Sequence, residues 1–187
     1  MKIRLATLEI QRDSIVDGEG IRSIIWTQGC THHCPGCHNP ETHSFQEGYI
    51  IEVEDVKEKI KKLEGQDGIT FSGGDPMEQA KACAEIAKYC KQLGLNIWCY
   101  TGYTFEELLK KMQIFPEIKE FLELIDVLVD GRFILSEKSY DVIFRGSKNQ
   151  RLIDVPKSLQ QKRPILVTKY DDVSSNQKGR KNHYMYV

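Results

Sequence analysis

A chain of 187 residues, 40% hydrophobic and 28% charged, is long enough for one domain with a real core and leaves little room for a second. A net charge of −1 gives no overall electrostatic footprint for nucleic acid, and no apolar run approaches the roughly 18 residues of a membrane span. The opening residues, Met1-Lys2-Ile3-Arg4-Leu5, lack the apolar stretch of a secretion signal, so the expected location is the cytoplasm.

Residues 2–10 alternate in strand fashion. Asp17-Gly18-Glu19-Gly20 is a turn, and Ile21–Thr27, β-branched and aromatic, is a strand. Residues 29–40 contain Gly29, Pro35, Gly36 and Pro40 and form a loop. A charged amphipathic helix over 53–63 precedes a short buried strand over 69–72, which ends on Gly73-Gly74-Asp75-Pro76. Residues 77–93 are a helix stopped by Gly94. A strand over 96–101 leads to a helix over 104–112, where Thr104 and Glu107 form a capping box. A helix over 116–125 and a strand over 127–130 follow. Beyond them the pattern weakens, with short strands expected at 142–144, 152–155 and 165–168.

Strands alternating with helices imply βαβ units and a mainly parallel sheet. There are too few units for eight-fold closure, so the expected fold is α/β, a partial (β/α) barrel or an open curved sheet. The chain reads as one domain over 1–187. Charge is uneven along it: residues 1–156 carry 19 Lys and Arg against 25 Asp and Glu, and residues 157–187 carry 7 against 2. Residues 157–187 are therefore a basic C-terminal extension of undetermined order, either a solvated tail or a docking arm. In sheets of this kind ligands bind at the C-terminal ends of the strands. The cysteine loop, the Gly73-Gly74-Asp75 turn, Tyr100-Thr101-Gly102 and Asp130-Gly131-Arg132 all follow strands and are expected on one face.

The six cysteines fall in two sets. Cys83, Cys90 and Cys99 are scattered and read as core, as do Trp26 and Trp98. Cys30, Cys34 and Cys37 share one Gly- and Pro-bearing loop, a spacing suited to metal or redox chemistry. Thiolates are the usual ligands of iron–sulfur cubes, and three local ones leave a fourth iron open. His32, His33, His38 and His43 crowd the same region, so a structural Cys3His zinc site in a non-catalytic interaction module is the alternative of a different class. Gly73 and Gly74 allow backbone to approach a ligand closely. Asp75 either accepts from a ligand ammonium or caps the following helix. Thr101 and Asp130 serve ribose or carboxylate contacts, or loop geometry. Arg132 pairs with a substrate carboxylate or is solvated.

Cys30-Thr31-His32-His33-Cys34-Pro35-Gly36-Cys37 resembles the signature of the radical S-adenosylmethionine superfamily, and Ser72-Gly73-Gly74-Asp75-Pro76 its second motif. Five further stretches resemble, more narrowly, the activating proteins of anaerobic (class III) ribonucleoside-triphosphate reductase. They are Asp17-Gly18-Glu19-Gly20-Ile21-Arg22, the run Cys34 to Asn39, Tyr100-Thr101-Gly102-Tyr103, the run Asp126 to Phe133, and the run Arg145 to Arg151. The likeness covers about residues 10–155. It departs from the superfamily in placing Gly36, not an aromatic, before the third cysteine, and from the narrower group in placing His38 after it.

The resemblance implies that Cys30, Cys34 and Cys37 hold one 4Fe–4S cluster and that Gly36, Cys37, His38, Gly73, Gly74, Asp75, Thr101, Asp130 and Arg132 bind S-adenosylmethionine. It implies reductive cleavage to a 5′-deoxyadenosyl radical, which takes a hydrogen from a glycine of the reductase. Six cysteines leave too few for a second cluster, so the electron comes from a flavodoxin- or ferredoxin-like donor. The run Arg145 to Arg151 either faces the partner or braces the loops. Rivals within the same chemistry are a pyruvate formate-lyase type activase and 7-carboxy-7-deazaguanine synthase.

Overall fold

The computed structural model describes residues 1–170. One sheet contains β1 (Lys2–Leu5), β2 (Gln11–Ser14), β3 (Arg22–Thr27), β4 (Tyr49–Glu52), β5 (Gly68–Gly73), β6 (Asn96–Tyr100), β7 (Val127–Asp130) and β8 (Arg151–Asp154). The spatial order is β4-β1-β3-β5-β6-β7-β8, with β2 also paired to β3. The central strands β3, β5, β6 and β7 are parallel, and every other pairing is antiparallel. The sheet is thus mixed, with a parallel centre, and its path of pairings does not close into a barrel. The parallel winding ends at β7 because residues 131–150 carry no crossover helix, so the chain returns beside β7 as an antiparallel strand.

The helices are α1 (Val53–Lys61), α2 (Ala80–Gln92), α3 (Phe105–Lys111), α4 (Pro116–Leu122) and α5 (Val155–Gln161). Alternation along the strands sends Ile25, Ile69, Phe71, Ile97, Cys99, Leu128 and Ile153 toward one core, shared with Ile60, Cys83, Ile86, Cys90, Leu108 and Phe121 of the helices. Residues of opposite parity, Trp98, Val129 and Leu152, form a smaller cluster with Tyr100, Phe144, Val167 and Tyr170. Burying the larger set supplies on the order of 1.5–3 kcal/mol per large aliphatic or aromatic side chain before entropy is set against it. The three scattered cysteines are fully buried in the larger core, as expected.

The small-cluster face also carries a buried cation. Arg22 is 1% exposed and, among the described residues, has no carboxylate in contact; its guanidinium donates to Thr70 Oγ1, Asn96 Oδ1 and the carbonyls of Glu19, Ile69 and Asn96. It lies 5.4 Å from the Trp98 ring centre, and burial lowers its pKa to about 10. Gly18, at φ +130°, leaves room for both side chains, since a Cβ there would sit 2.8 Å from Trp98. The Asp17–Arg22 motif therefore builds the floor beneath this face.

Several expectations change at the level of detail. Of the strand expected over 2–10 only Lys2–Leu5 forms, and β2 follows outside that range. The helix expected from residue 77 opens as a 3-10 turn, Pro76–Gln79, before α2. No strand forms at 142–144, where Phe144 turns at φ +58° to pack 5.2 Å from Trp98. Residues 165–168 contribute only the bridge Ile153↔Leu166. The basic extension begins inside α5, and Lys169 reaches Glu19 at 2.6 Å; residues 171–187 lie outside the described residues. Among the described residues no helix is long and apolar enough to cross a membrane.

Candidate active site

The C-terminal ends of the parallel strands carry the expected loops together. Beyond β3, Gly29 turns at φ +103° against the Phe45 ring, and Cys30 N donates to His43 O at 3.0 Å. His33, at φ +46°, reverses the chain between the first two cysteines. Cys37 N donates to Cys34 O at 3.1 Å, so the last two thiols share one tight turn, in which Gly36 takes φ +74°.

The Gly73-Gly74 turn is locked against this loop. Gly74 N donates to Thr27 O and Asp75 N to Gly29 O, both at 2.8 Å. A Cβ on Gly73 would lie 2.4 Å from Thr27 O, and one on Gly74 2.3 Å from Gly29 O. These glycines thus bring β5 and the cysteine loop into backbone contact. Gly102 is confined in the same way, since a Cβ there would meet the His32 ring at 2.3 Å.

A cleft of about 290 Å³ opens among these loops, near the lower end for small-molecule sites. Cys30, Cys34, Cys37, His38, Gly73, Gly74 and Thr101, all expected site residues, line it. Trp26, expected in the core, lines it as well: with Ser72 and Tyr100 it has the parity of the small-cluster face at the strand ends. Asp17, Phe133, Gly146 and Gln150 line it too; they lie in stretches that carry the resemblance but are not among the expected site residues. Strand parity combined with register identifies Trp26, whereas for the loop residues the one signal is the motif stretch in which each lies.

Four expected cofactor residues do not line this cleft. Gly36 packs beneath it against Leu135. Asp75 is fully buried, and its carboxylate accepts from Met77 N, Thr101 Oγ1, Gly102 N and His32 Nε2. Four donors inside the protein share its two oxygens. Asp130, 1% exposed, accepts from Phe105 N and from both Nε and Nη2 of Arg151. Arg132 is exposed on a neighbouring surface hollow with Glu106 and Arg151. The run Arg145 to Arg151 braces the loops: Gln150 Oε1 accepts from Gly146 N, its amide donates to Gly131 O, and Asn149 donates to Arg132 O.

Burial raises the Cys30 thiol to about 11, offset in part by the backbone amides of His32 and His33. Burial also raises Cys34, against the amide of Phe133 and the charge of Arg132. The sulfurs are thus desolvated but supplied with N–H donors, as is Cys37 by Asn39 N at 3.4 Å. A metal centre that keeps thiolates deprotonated fits this environment. Among the described residues no three Cys, His, Asp or Glu side chains converge closely enough for a single ion. Separate thiols around one cleft suit a 4Fe–4S cube, in which each thiolate holds its own iron, better than a tetrahedral zinc site.

Residues 16–153 match the family model described as "4Fe-4S single cluster domain". The anaerobic ribonucleoside-triphosphate reductase-activating protein of Haemophilus influenzae is 32% identical over 157 residues, 76% of this chain and 94% of that one. Its namesake from Vibrio cholerae is 37% identical over 150 residues, 73% of this chain and 89% of that one. The crystal structure of QueE from Escherichia coli covers 56% of this chain and 54% of its own at 15% identity, with a TM-score of 0.47. The chain belongs to the 4Fe-4S single cluster domain family and, within it, to the family of these reductase-activating proteins.

Proposed function

We propose that this chain activates an anaerobic ribonucleoside-triphosphate reductase, using an iron–sulfur cluster and S-adenosylmethionine to place a glycyl radical on it. The observation that carries the reading is the convergence of Cys30, Cys34, Cys37, Gly73, Gly74 and Thr101 on one cleft at the ends of parallel strands. Relatives bearing that name match over most of both chains. Read as a partial barrel of the radical S-adenosylmethionine type, the open sheet would leave one side of the site for a protein loop.

Cys30, Cys34 and Cys37 hold the cluster. The chemistry a cluster held there would supply is one-electron reduction of bound S-adenosylmethionine. Gly73 and Gly74 present backbone to the bound nucleoside, and Thr101 offers its backbone at the cleft wall. His38, tilted over Phe133 at 4.8 Å, closes one flank. Asp75 acts indirectly, by holding the three loops in register. Trp26 and Tyr100 exclude water from the inner wall; burial pushes the Tyr100 phenol well above its usual range and keeps it neutral.

The test is anaerobic reconstitution, reductant and S-adenosylmethionine, with and without the reductase. The expected result is slow release of 5′-deoxyadenosine from the chain alone and, with the reductase, a glycyl doublet by electron paramagnetic resonance. A doublet on pyruvate formate-lyase instead, or turnover of a small molecule with no protein partner, overturns the reductase assignment.

A further inference from the structure

The small-cluster face of the sheet is layered along the strands. Trp26, Ser72 and Tyr100 share the layer that lines the cleft. One layer lower Thr70 pairs with Trp98, and below Trp98 a separate hollow of about 340 Å³ opens. Val127, which opens β7, lines this hollow with Glu19, Val167 and Tyr170, so it lies at the opposite end of the strands from the cleft. Among the described residues the two spaces share no lining residue.

Three aromatic rings stand between them. Phe144 meets Trp98 edge-on at 5.2 Å and Tyr170 at 5.1 Å, and Trp98 lies 6.5 Å from Tyr170. Phe144 holds a left-handed φ of +58°, a costly conformation for a bulky residue. Its carbonyl accepts from Tyr100 Oη at 2.9 Å, which braces the cleft wall on the rings. A strap brings Tyr170 in from below. Asp154 N donates to Ile165 O and Val167 N to Leu152 O, both at 2.9 Å, and Lys169 then reaches across to Glu19 at 2.6 Å. The strap thus ties the β8 edge to the turn before β3.

We propose that Phe144, with Trp98 and Tyr170, is a partition that sets the depth of the cleft and thereby selects the hydrogen donor: it closes the lower space to a second small molecule, so that the donor enters from the mouth as a narrow segment of another protein. The inference rests on the activase reading above and deepens it. The argument is one of volume. A cleft of about 290 Å³ is at the lower end for a single small ligand, and one nucleoside fills it. Joined to the hollow below, the same cleft would admit a second ligand. In the transfer, a donor C–H bond breaks homolytically, the hydrogen joins the 5′ carbon, and the unpaired electron stays on the donor.

The test uses the cluster-loaded full chain with S-adenosylmethionine and dithionite, and toluene deuterated at its methyl group as both probe and donor. Phe144→Ala is expected to bind toluene about tenfold more tightly than wild type by calorimetry, because an apolar void takes up an aromatic ring. Without the reductase, it should also release 5′-deoxyadenosine carrying deuterium, and the wild type should release unlabelled product. In that step the methyl C–D bond breaks, the deuterium joins the 5′ carbon, and the benzyl radicals couple in pairs. Phe144→Leu, which refills the space, should behave as wild type. Tyr170→Ala, which opens the partition from below, gives the same two readings if Phe144→Ala loses its iron. Equal toluene affinity in wild type and variant, deuterium in the wild-type product, or unlabelled product from a variant that binds toluene overturns the partition. Loss of iron in both alanine variants overturns it too, by making the rings a support of the cysteine loop. A wild-type chain that releases no 5′-deoxyadenosine overturns the activase reading, and toluene binding then judges the partition by itself.

Discussion

His32 Nε2 lies 2.7 Å from Asp75 Oδ2, with the two side chains 4% and 0% exposed. An ionised carboxylate only accepts, so Nε2 carries the proton and donates. The contact ties the cysteine loop to the turn after β5, and Asp75 extends the tie to Thr101 and Gly102 after β6. One buried carboxylate thereby sets the relative position of three loops that line the cleft. It also accepts from Met77 N as the cap of the following turn, which is one of the two roles open to it in sequence.

Asp75→Asn should therefore act first on stability. The amide group would face Thr101 Oγ1, Gly102 N and His32 Nε2, all donors, and leave at least one unsatisfied. The expected loss is about 2–4 kcal/mol, since each stranded buried donor costs roughly 1–3 kcal/mol. Urea denaturation of cluster-free protein measures it. Unchanged stability with weakened S-adenosylmethionine binding would return Asp75 to the role of a ligand contact.

Gly74→Ala should disturb the cysteine loop as well as the cleft. The new methyl would lie 2.3 Å from Gly29 O, next to Cys30, and only backbone movement relieves it. We expect a loss of about 1–3 kcal/mol and fewer irons per chain. Gly65→Ala is the control: φ is +70° there, but nothing lies within 4 Å of the added Cβ. It should cost roughly 1–2 kcal/mol of backbone strain and leave the iron content unchanged. Full iron loading in Gly74→Ala would argue against the coupling.

Replacing Cys30, Cys34 or Cys37 by Ala should abolish stable cluster binding, while the wild type holds about four irons and four sulfides per chain. The same change at Cys83, Cys90 or Cys99 should cost only about 1–2 kcal/mol. These thiols are fully buried among apolar side chains, and burial pushes Cys90 up to about 12. Iron and sulfide assays sort the two sets, and loss of the cluster in the Cys99 variant would break the division.

Much of this site was legible because its carriers are local in sequence. The cysteine spacing, the glycine pair, the capping box at Thr104 and the strands β3, β5, β6 and β7 all announce themselves over a few residues. What the sequence hid depends on register and burial. Trp26 looks like any core aromatic until its pairing with Ser72 places it at the strand ends on the cleft face. An aspartate after a strand reads alike whether it faces a ligand or three neighbouring loops, so sequence leaves both roles open for Asp75 and Asp130. The antiparallel return of β8 is set by the tertiary fit of residues 131–150, which show no periodicity. Thr31 and Tyr103 meet across 72 positions in sequence, and no local pattern encodes that contact.

Arg151 offers the last test, because it holds Asp130 from across the sheet. The two are register partners in the β7–β8 pairing, and the guanidinium also reaches Glu106 at 2.6 Å. Asp130 is 1% exposed, so Arg151→Ala leaves a buried carboxylate with Phe105 N as its remaining donor. The expected cost at neutral pH is about 2–3 kcal/mol, below the usual 3–5 for breaking a buried pair because Arg151 itself is 31% exposed. Arg151→Lys should recover part of it, since Lys keeps the charge but not the fork that spans two carboxylates. Arg151 holds the Glu106 carboxyl below its usual value. A lowered folded-state pKa gives stability that is present above the unfolded value of about 4.3 and is lost as pH falls through the folded one. The gap between wild type and Arg151→Ala should accordingly narrow below about pH 4. Cluster-free protein denatured in urea at pH 7 and at stepwise lower pH reads this directly. A gap that stays constant down to pH 3 would show that the Glu106 pair contributes nothing and that the cost comes from Asp130 alone.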